Sequence, residues 1–287
     1  MLNDVAFGQY YPVDSFIHKM DARAKILLSI AYMVAVFLVK SFVCYALLAL
    51  YLLVKIIISK IPLRSVLKSV KAVLFLALFT AIINILFVKG TQEELLLQWW
   101  VIKIYSTGII SAGKMMCRLV LLVMGASLLT LTTTPVDLTH AIESLLSPLK
   151  LIKVPVADFA LVMNITLRFI PTLMEETNKI IRAQKARGAQ FDTGNLVARA
   201  KAFVPILIPL LVNSFRRAED LALAMNARCF EGSTKRTRLK KLSFTWRDLL
   251  GTLLFVVCVG MTVALRYVDI AWLTSLLGEK IVYWIGF

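Results

Sequence analysis

Uncharged apolar runs recur through the first half of the chain, at residues 26–39, 41–54, 72–88 and 119–134. A fifth run occupies 249–265, and a weaker sixth lies at 270–277. Read as helices they are membrane spans, although several are shorter than the roughly 20 residues a perpendicular span needs. Flanking lysines such as Lys25, Lys40, Lys55, Lys71 and Lys89 can lengthen them, their stems lying along acyl chains while the ammonium reaches the headgroups. One helix from 26 to 58 would hold Lys40 and Lys55 in hydrocarbon, so two spans with a tight turn at Lys40-Ser41 are expected.

Between residues 135 and 247 the pattern changes. No uncharged run there is long enough to span, but Ile170, Leu173, Met174, Thr177, Ile180, Ile181 and Gln184 recur at helical steps. So do Ile208, Leu211, Val212, Phe215, Ala218, Ala222 and Met225. The spacing predicts two amphipathic helices, the first started by Pro171 and stopped by Gly188, the second with Pro205 and Pro209 in its first turns. Their expected lengths are roughly 25 and 35 Å.

Composition agrees with this class: 59% hydrophobic residues, 17% charged and a mean hydropathy of +0.80 do not suit a soluble domain. The chain is therefore expected to be an all-α integral membrane protein, with about 5–6 transmembrane helices plus long amphipathic cytoplasmic coupling helices. Its net charge of +16 is unevenly placed, with 18 basic against 9 acidic residues in 135–247. Lys19, Arg23 and Lys25 precede the first run, and Lys60, Arg64, Lys68 and Lys71 separate the second from the third. The positive-inside rule puts the N-terminus in the cytoplasm. The expected regions are 1–134 with four spans, a cytoplasmic region at 135–243, and a C-terminal transmembrane region at 244–287. Polar and aromatic residues at the N-terminus (Asn3, Asp4, Gln9, Tyr10, Tyr11) argue against a cleavable signal peptide. Cysteines 44, 117, 229 and 258 have no metal spacing and read as reduced small hydrophobes.

A short pattern occurs twice in the polar middle. Gln184-Lys185-Ala186-Arg187-Gly188 matches Met225-Asn226-Ala227-Arg228-Cys229 in form, each with a further alanine three residues before its Ala-Arg pair (Ala183, Ala224). Small residues admit a partner close to the helix backbone, and the guanidinium offers five donors in a fixed fork to carboxylates or carbonyls. Two such tips suit a protein that grips two similar partners. Alternatively they are two basic helix ends that complement the macrodipole.

Here the chain resembles the membrane-embedded T component of energy-coupling factor (ECF) transporters, prokaryotic importers of vitamins and metal ions. Paired Ala-Arg-Gly motifs are that family's signature, matched by Ala186-Arg187-Gly188 and Ala227-Arg228-Cys229, with Cys229 departing from glycine. Gly8-Gln9-Tyr10, Pro12, Asp14-Ser15, Ile17-His18, Asp21 and Arg23 resemble the family's opening segment, with Ala22 where a proline is usual. The likeness continues through Ser127-Leu128-Leu129-Thr130-Leu131-Thr132-Thr133, Ser147-Pro148-Leu149-Lys150 and Leu167-Arg168-Phe169-Ile170-Pro171. It implies a non-catalytic subunit of a bacterial cytoplasmic membrane. The two arginines would enter grooves on two ABC-type ATPase subunits, which bind ATP and Mg, and the same insert would contact a membrane-embedded substrate-binding S subunit. No cofactor would be bound directly.

Rival classes lack their signals. An enzyme needs clustered acidic or histidine residues at a membrane face, and the chain has two histidines and no GxxxxGK[ST] loop. A self-sufficient secondary transporter would repeat its spans, whereas this repeat is confined to the polar middle. The basic run 235–241 has no interleaved aromatics for base stacking, so it reads as an orientation signal touching anionic lipid and not as a nucleic-acid site. Arg118 is expected to be an interfacial arginine snorkelling outward. Glu175 with Lys179 and Arg216 with Asp220 are expected helix pairs, and Asp192 and Glu231 either orient the arginines or form solvated ends.

Overall fold

The computed structural model describes residues 10–39, 41–87, 95–99, 102–189, 196–230, 232 and 244–267. It is an all-α fold, with helices α1 (Ala22–Leu38), α2 (Phe42–Ser59), α3 (Leu63–Phe87), α4 (Ser106–Thr132), α5 (Pro135–Leu145), α6 (Val156–Ala186), α7 (Leu196–Ala227) and α8 (Trp246–Tyr267). A short 3-10 turn, Ser147–Ile152, precedes α6. Between α3 and α4 lies a small antiparallel hairpin, β1 (Leu95–Trp99) and β2 (Ile102–Tyr105), in register from Trp99↔Ile102 to Leu97↔Ile104, with a register shift before Leu95↔Tyr105. The helical periodicity gave no sign of it. The chain divides into two compact units, Gly8–Thr134 with Leu242–Phe287, and Met1–Phe7 with Pro135–Lys241.

In the first unit the apolar runs become helices that share one core. Tyr32 and Val36 of α1, Leu48, Leu52 and Ile56 of α2, Leu121 and Leu128 of α4 and Phe255 of α8 are buried in it. Leu50, Leu53, Ile57, Phe75 and Leu78 stay exposed, as lipid-facing side chains do. Helix contacts use small residues, which let backbones approach. A Cβ at Gly125 of α4 would lie 2.7 Å from the Tyr32 ring, and one at Gly108 would meet the Ile85 carbonyl of α3 at 3.4 Å.

Four described helices are long and apolar enough to cross a membrane: α2, α4, α6 and Trp246–Ala264 of α8. α3 passes the same test as two segments, Leu63–Lys71 and Val73–Phe87, bent by 51°. α1, with 17 residues, sits at the lower limit of spanning length. The first two runs form separate helices, as expected: α1 ends at Leu38, Val39 is its C-cap and Ser41 is the N-cap of α2. Lys40, Lys89 and the run 270–277 lie outside the described residues.

Three expectations are corrected. α6 contains an apolar window with a mean hydropathy of 1.4, which the search for uncharged runs missed because Asp158 and Arg168 interrupt it. Lys25 does not snorkel. It is buried, and its ammonium donates to the Thr132 carbonyl at 3.0 Å and the His18 carbonyl at 3.1 Å. It thus satisfies an orphan carbonyl at the C-terminal end of α4, where the Tyr11 amide serves Leu131 in the same way at 3.0 Å. Arg118 also turns inward. Its Nε donates to Tyr45 Oη at 3.1 Å and its Nη2 to the Val39 carbonyl at 3.4 Å, while Tyr45 donates to that carbonyl at 3.0 Å. The C-terminal end of α1 is therefore capped by a cation from α4.

The N-terminal segment is fixed by caps. Asp21 is the N-cap of α1 and accepts from the Arg23 amide, so Ala22 occupies N1, where proline is favoured. Buried Asp248 accepts from the Asp21 amide through Oδ1 and the Thr245 amide through Oδ2, each at 2.7 Å. One carboxylate thereby caps α8 and ties it to the start of α1. Ser15 Oγ and His18 Nδ1 lie 2.6 Å apart, and burial together with the nearby Lys25 ammonium lowers the His18 pKa.

Candidate partner-docking site

The second unit is organised around α6 and α7, with 31 and 32 residues. At 1.5 Å per residue they are about 46 and 48 Å long, well beyond the expected lengths. The cause is proline. Pro171 lies inside α6, and Pro205 and Pro209 lie inside α7, so none of them marks a helix start. Each removes one backbone donor, at the cost of one ladder hydrogen bond, and the apolar faces carry the helix through.

Both helices end in the same way. After α6, the Gly188 amide donates to the Lys185 carbonyl and the Ala189 amide to Gln184, both at 3.0 Å. After α7, the Cys229 amide donates to Asn226 at 3.0 Å and the Phe230 amide to Met225 at 3.1 Å. These paired bonds are a Schellman motif, which needs a left-handed residue just past the cap. Gly188 supplies φ +84° and Cys229 φ +56°. The left-handed turn therefore forms at Cys229 although it departs from glycine, against a penalty of about 1 kcal/mol for a side chain in that region.

Arg187 and Arg228 consequently occupy equivalent cap positions, and both are exposed. Ala183, Ala186 and Gly188 are exposed around the first, and Ala224, Ala227 and Cys229 around the second. Each tip thus presents a guanidinium on a strip of small side chains. Arg228 also borders a groove of about 380 Å³ lined in part by Leu161, Ile165, Leu221, Met225 and Phe230.

A crossing between the helices fixes both tips. Arg217 Nη2 donates to Glu176 Oε2 at 3.0 Å, Asn213 donates to Glu176 Oε1, and the Arg217 guanidinium lies over the Phe169 ring at 5.8 Å. Glu176 stands 11 residues before Arg187, and Arg217 stands 11 before Arg228. The crossing thus joins equivalent positions of the repeat, and each tip projects about 16 Å beyond it. Sequence reasoning missed this pair, although the 41-residue offset between the motifs also separates Glu176 from Arg217. Neither Glu175 with Lys179 nor Arg216 with Asp220 forms an ion pair among the described residues. Asp192 and Glu231 lie outside them.

Residues 14–239 match the family model described as a cobalt transport protein. The chain is 50% identical over 268 residues to the energy-coupling factor transporter transmembrane protein EcfT of Ruminiclostridium cellulolyticum, covering 93% of this chain and 99% of that protein. The chain belongs to the EcfT family. The EcfT of Clostridium kluyveri is 48% identical over 91% of this chain and 97% of its own. That of Bacillus subtilis is 39% identical over 93% and 100%. The chain is thus a transmembrane component of an energy-coupling factor transporter, and the twin-capped helices belong to a member of a multisubunit membrane complex.

Proposed function

We propose that this protein couples ATP hydrolysis by two cytoplasmic ABC-type ATPase subunits to uptake of a vitamin or related micronutrient through a membrane-embedded S subunit. The observation that carries this reading is the pair of identical helix caps, each ending in an exposed arginine on an alanine strip. A guanidinium at a C-cap can leave its own helix for a partner's carboxylates or carbonyls, and the flanking alanines let the partner's groove close around it. Two equivalent tips, equally distant from one crossing, match two homologous grooves.

Coupling requires the tips to make different contacts in the open and closed states of the ATPases. Closure would draw Arg187 and Arg228 relative to each other, and the long helices would carry that displacement to the S subunit as levers. In this reading ATP and Mg stay on the ATPase subunits, and this chain contributes no catalytic group. The basic residues before α1 and between α2 and α3 favour a cytoplasmic N-terminus, which puts residues 135–243 on the ATPase side. The apolar first half of α6 would lie against the membrane while its second half reaches the partner.

Proteoliposome reconstitution tests the assignment. Full-length protein alone should hydrolyse no ATP and accumulate no vitamin. Adding the ATPase pair should give hydrolysis, and adding an S subunit should give uptake. Uptake by the chain without ATPases would overturn it.

A further inference from the structure

The end of α2 and the first half of α3 carry four exposed cations that the docking tips do not use. Lys60, at the C-cap of α2, and Arg64, Lys68 and Lys71 of α3 are all exposed. Among the described residues none of their side chains is in an ion pair, and the sequence has no acidic residue between 22 and 92 to neutralise them. Arg64, Lys68 and Lys71 are spaced i, i+4, i+7, which gathers them within an arc of about 60° on one side of the helix.

One flank of the same helix is apolar in two distinct ways, while Ser65 and Ser69 lie on the other. Val66 and Val70 are buried, at 0% and 8% exposure, and hold the segment against its own unit. Leu63 and Leu67, at 50% and 56%, lie between those valines and the cations. Their strip continues through exposed Leu74 and Leu78, at helical spacing, into the second segment. Charge stops where the helix bends: Lys71 is the last cation, the axis turns by 51°, and residues 72–87 carry none.

We propose that Leu63–Lys71 is an interfacial helix whose cations bind the phosphodiester groups of anionic phospholipid. The leucine strip enters the acyl region, the valines anchor the segment to the protein, and Arg64, Lys68 and Lys71 reach the phosphates from the edge of that strip. An acidic protein surface would satisfy the cations but would leave the adjoining leucines against water or against charge. Lipid satisfies both. Lys60 extends the cationic line past the helix start, held there with φ +56°.

The test is native mass spectrometry of the delipidated full-length chain, titrated with phosphatidylglycerol or phosphatidylcholine. Wild type should bind phosphatidylglycerol in preference, and millimolar inorganic phosphate should not displace it. The triple variant Arg64→Gln, Lys68→Gln, Lys71→Gln should bind its first phosphatidylglycerol at least about tenfold more weakly, with Lys68→Gln alone weakening it roughly fivefold. The charge-preserving triple Arg64→Lys, Lys68→Arg, Lys71→Arg should bind as wild type does, which separates lost charge from lost fold. Unchanged preference in both glutamine variants would overturn the proposal. Displacement by inorganic phosphate would overturn it too, making the cluster a free-anion site. So would tight binding of the cluster to the acidic surface of a soluble subunit with no lipid preference.

Discussion

Breaking the Glu176–Arg217 pair should loosen the separation between the two arginine tips. Glu176 accepts from both Asn213 and Arg217, and the ion pair is 3.0 Å long with side-chain exposures of 19% for Glu176 and 32% for Arg217. A hydrogen bond to a charged group contributes about 1.5–3 kcal/mol when shielded, and an exposed ion pair about 0.2–1. A half-buried pair stacked on Phe169 falls between, so a coupling of about 1–2 kcal/mol is expected. That corresponds to roughly a fivefold to thirtyfold change in the population of the closed crossing. Because each tip lies about 16 Å from the crossing, a small change of angle there is amplified at the tips. Spin labels at Lys185→Cys and Asn226→Cys, equivalent exposed positions, would read the distance by electron–electron double resonance in a background whose native cysteines are replaced. Glu176→Gln and Arg217→Gln should each broaden the distribution, and the double variant should broaden it no further than the worse single. Three superimposable distributions would refute the reasoning, since the crossing would then be held by other contacts.

The remaining predictions rest on caps and close contacts. Cys229→Gly should stabilise the α7 terminus by about 1 kcal/mol, whereas Gly188→Ala should destabilise the α6 terminus by a similar amount; protease sensitivity or hydrogen exchange of the two ends reads both. Gly125→Ala puts a methyl into the Tyr32 ring and should cost about 1–3 kcal/mol in detergent unfolding, relieved by Tyr32→Phe only if the ring can shift. Lys25→Met leaves the carbonyls of Thr132 and His18 without their buried donor, for a loss of about 1–3 kcal/mol in the same assay. His18 has its folded pKa below the ordinary 6.5, so the unfolded chain binds more protons as pH falls through that value. Its contribution to stability is therefore present at neutral pH and lost on acidification below about 6.5, and His18→Gln should flatten that part of a pH–stability profile.

Much of the fold was legible because period and charge carry it. Uninterrupted apolar runs marked α1, α2, the second half of α3, α4 and α8, and the charge at Lys40 separated the first two runs, which do form two helices. Where the reading failed, a local rule was overridden by tertiary context. Pro171, Pro205 and Pro209 looked like helix starts, yet two long apolar faces carry the helices through them. Lys25 and Arg118 looked like surface anchors, but unpaired carbonyls at the ends of α4 and α1 draw both cations inward. Asp158 and Arg168 hid the apolar half of α6 from a search for uncharged runs. At the candidate site, the repeat singled out two helix ends that share one cap geometry, while Cys229 obscured the symmetry of their caps. The crossing pair escaped because the expected partners, Glu175 with Lys179 and Arg216 with Asp220, were sought within one helix.

The central claim is that Arg187 and Arg228 are the two points at which this membrane subunit engages its ATPases. Its most direct test is the affinity of the purified ATPase pair for the full-length chain in lipid nanodiscs, measured for wild type, Arg187→Glu, Arg228→Glu and the double variant. Each single reversal should weaken binding at least about tenfold, the double should abolish it, and the helical content of all four should be the same. If the double variant binds the ATPases as tightly as wild type, the arginines are basic helix ends and the coupling joints lie elsewhere.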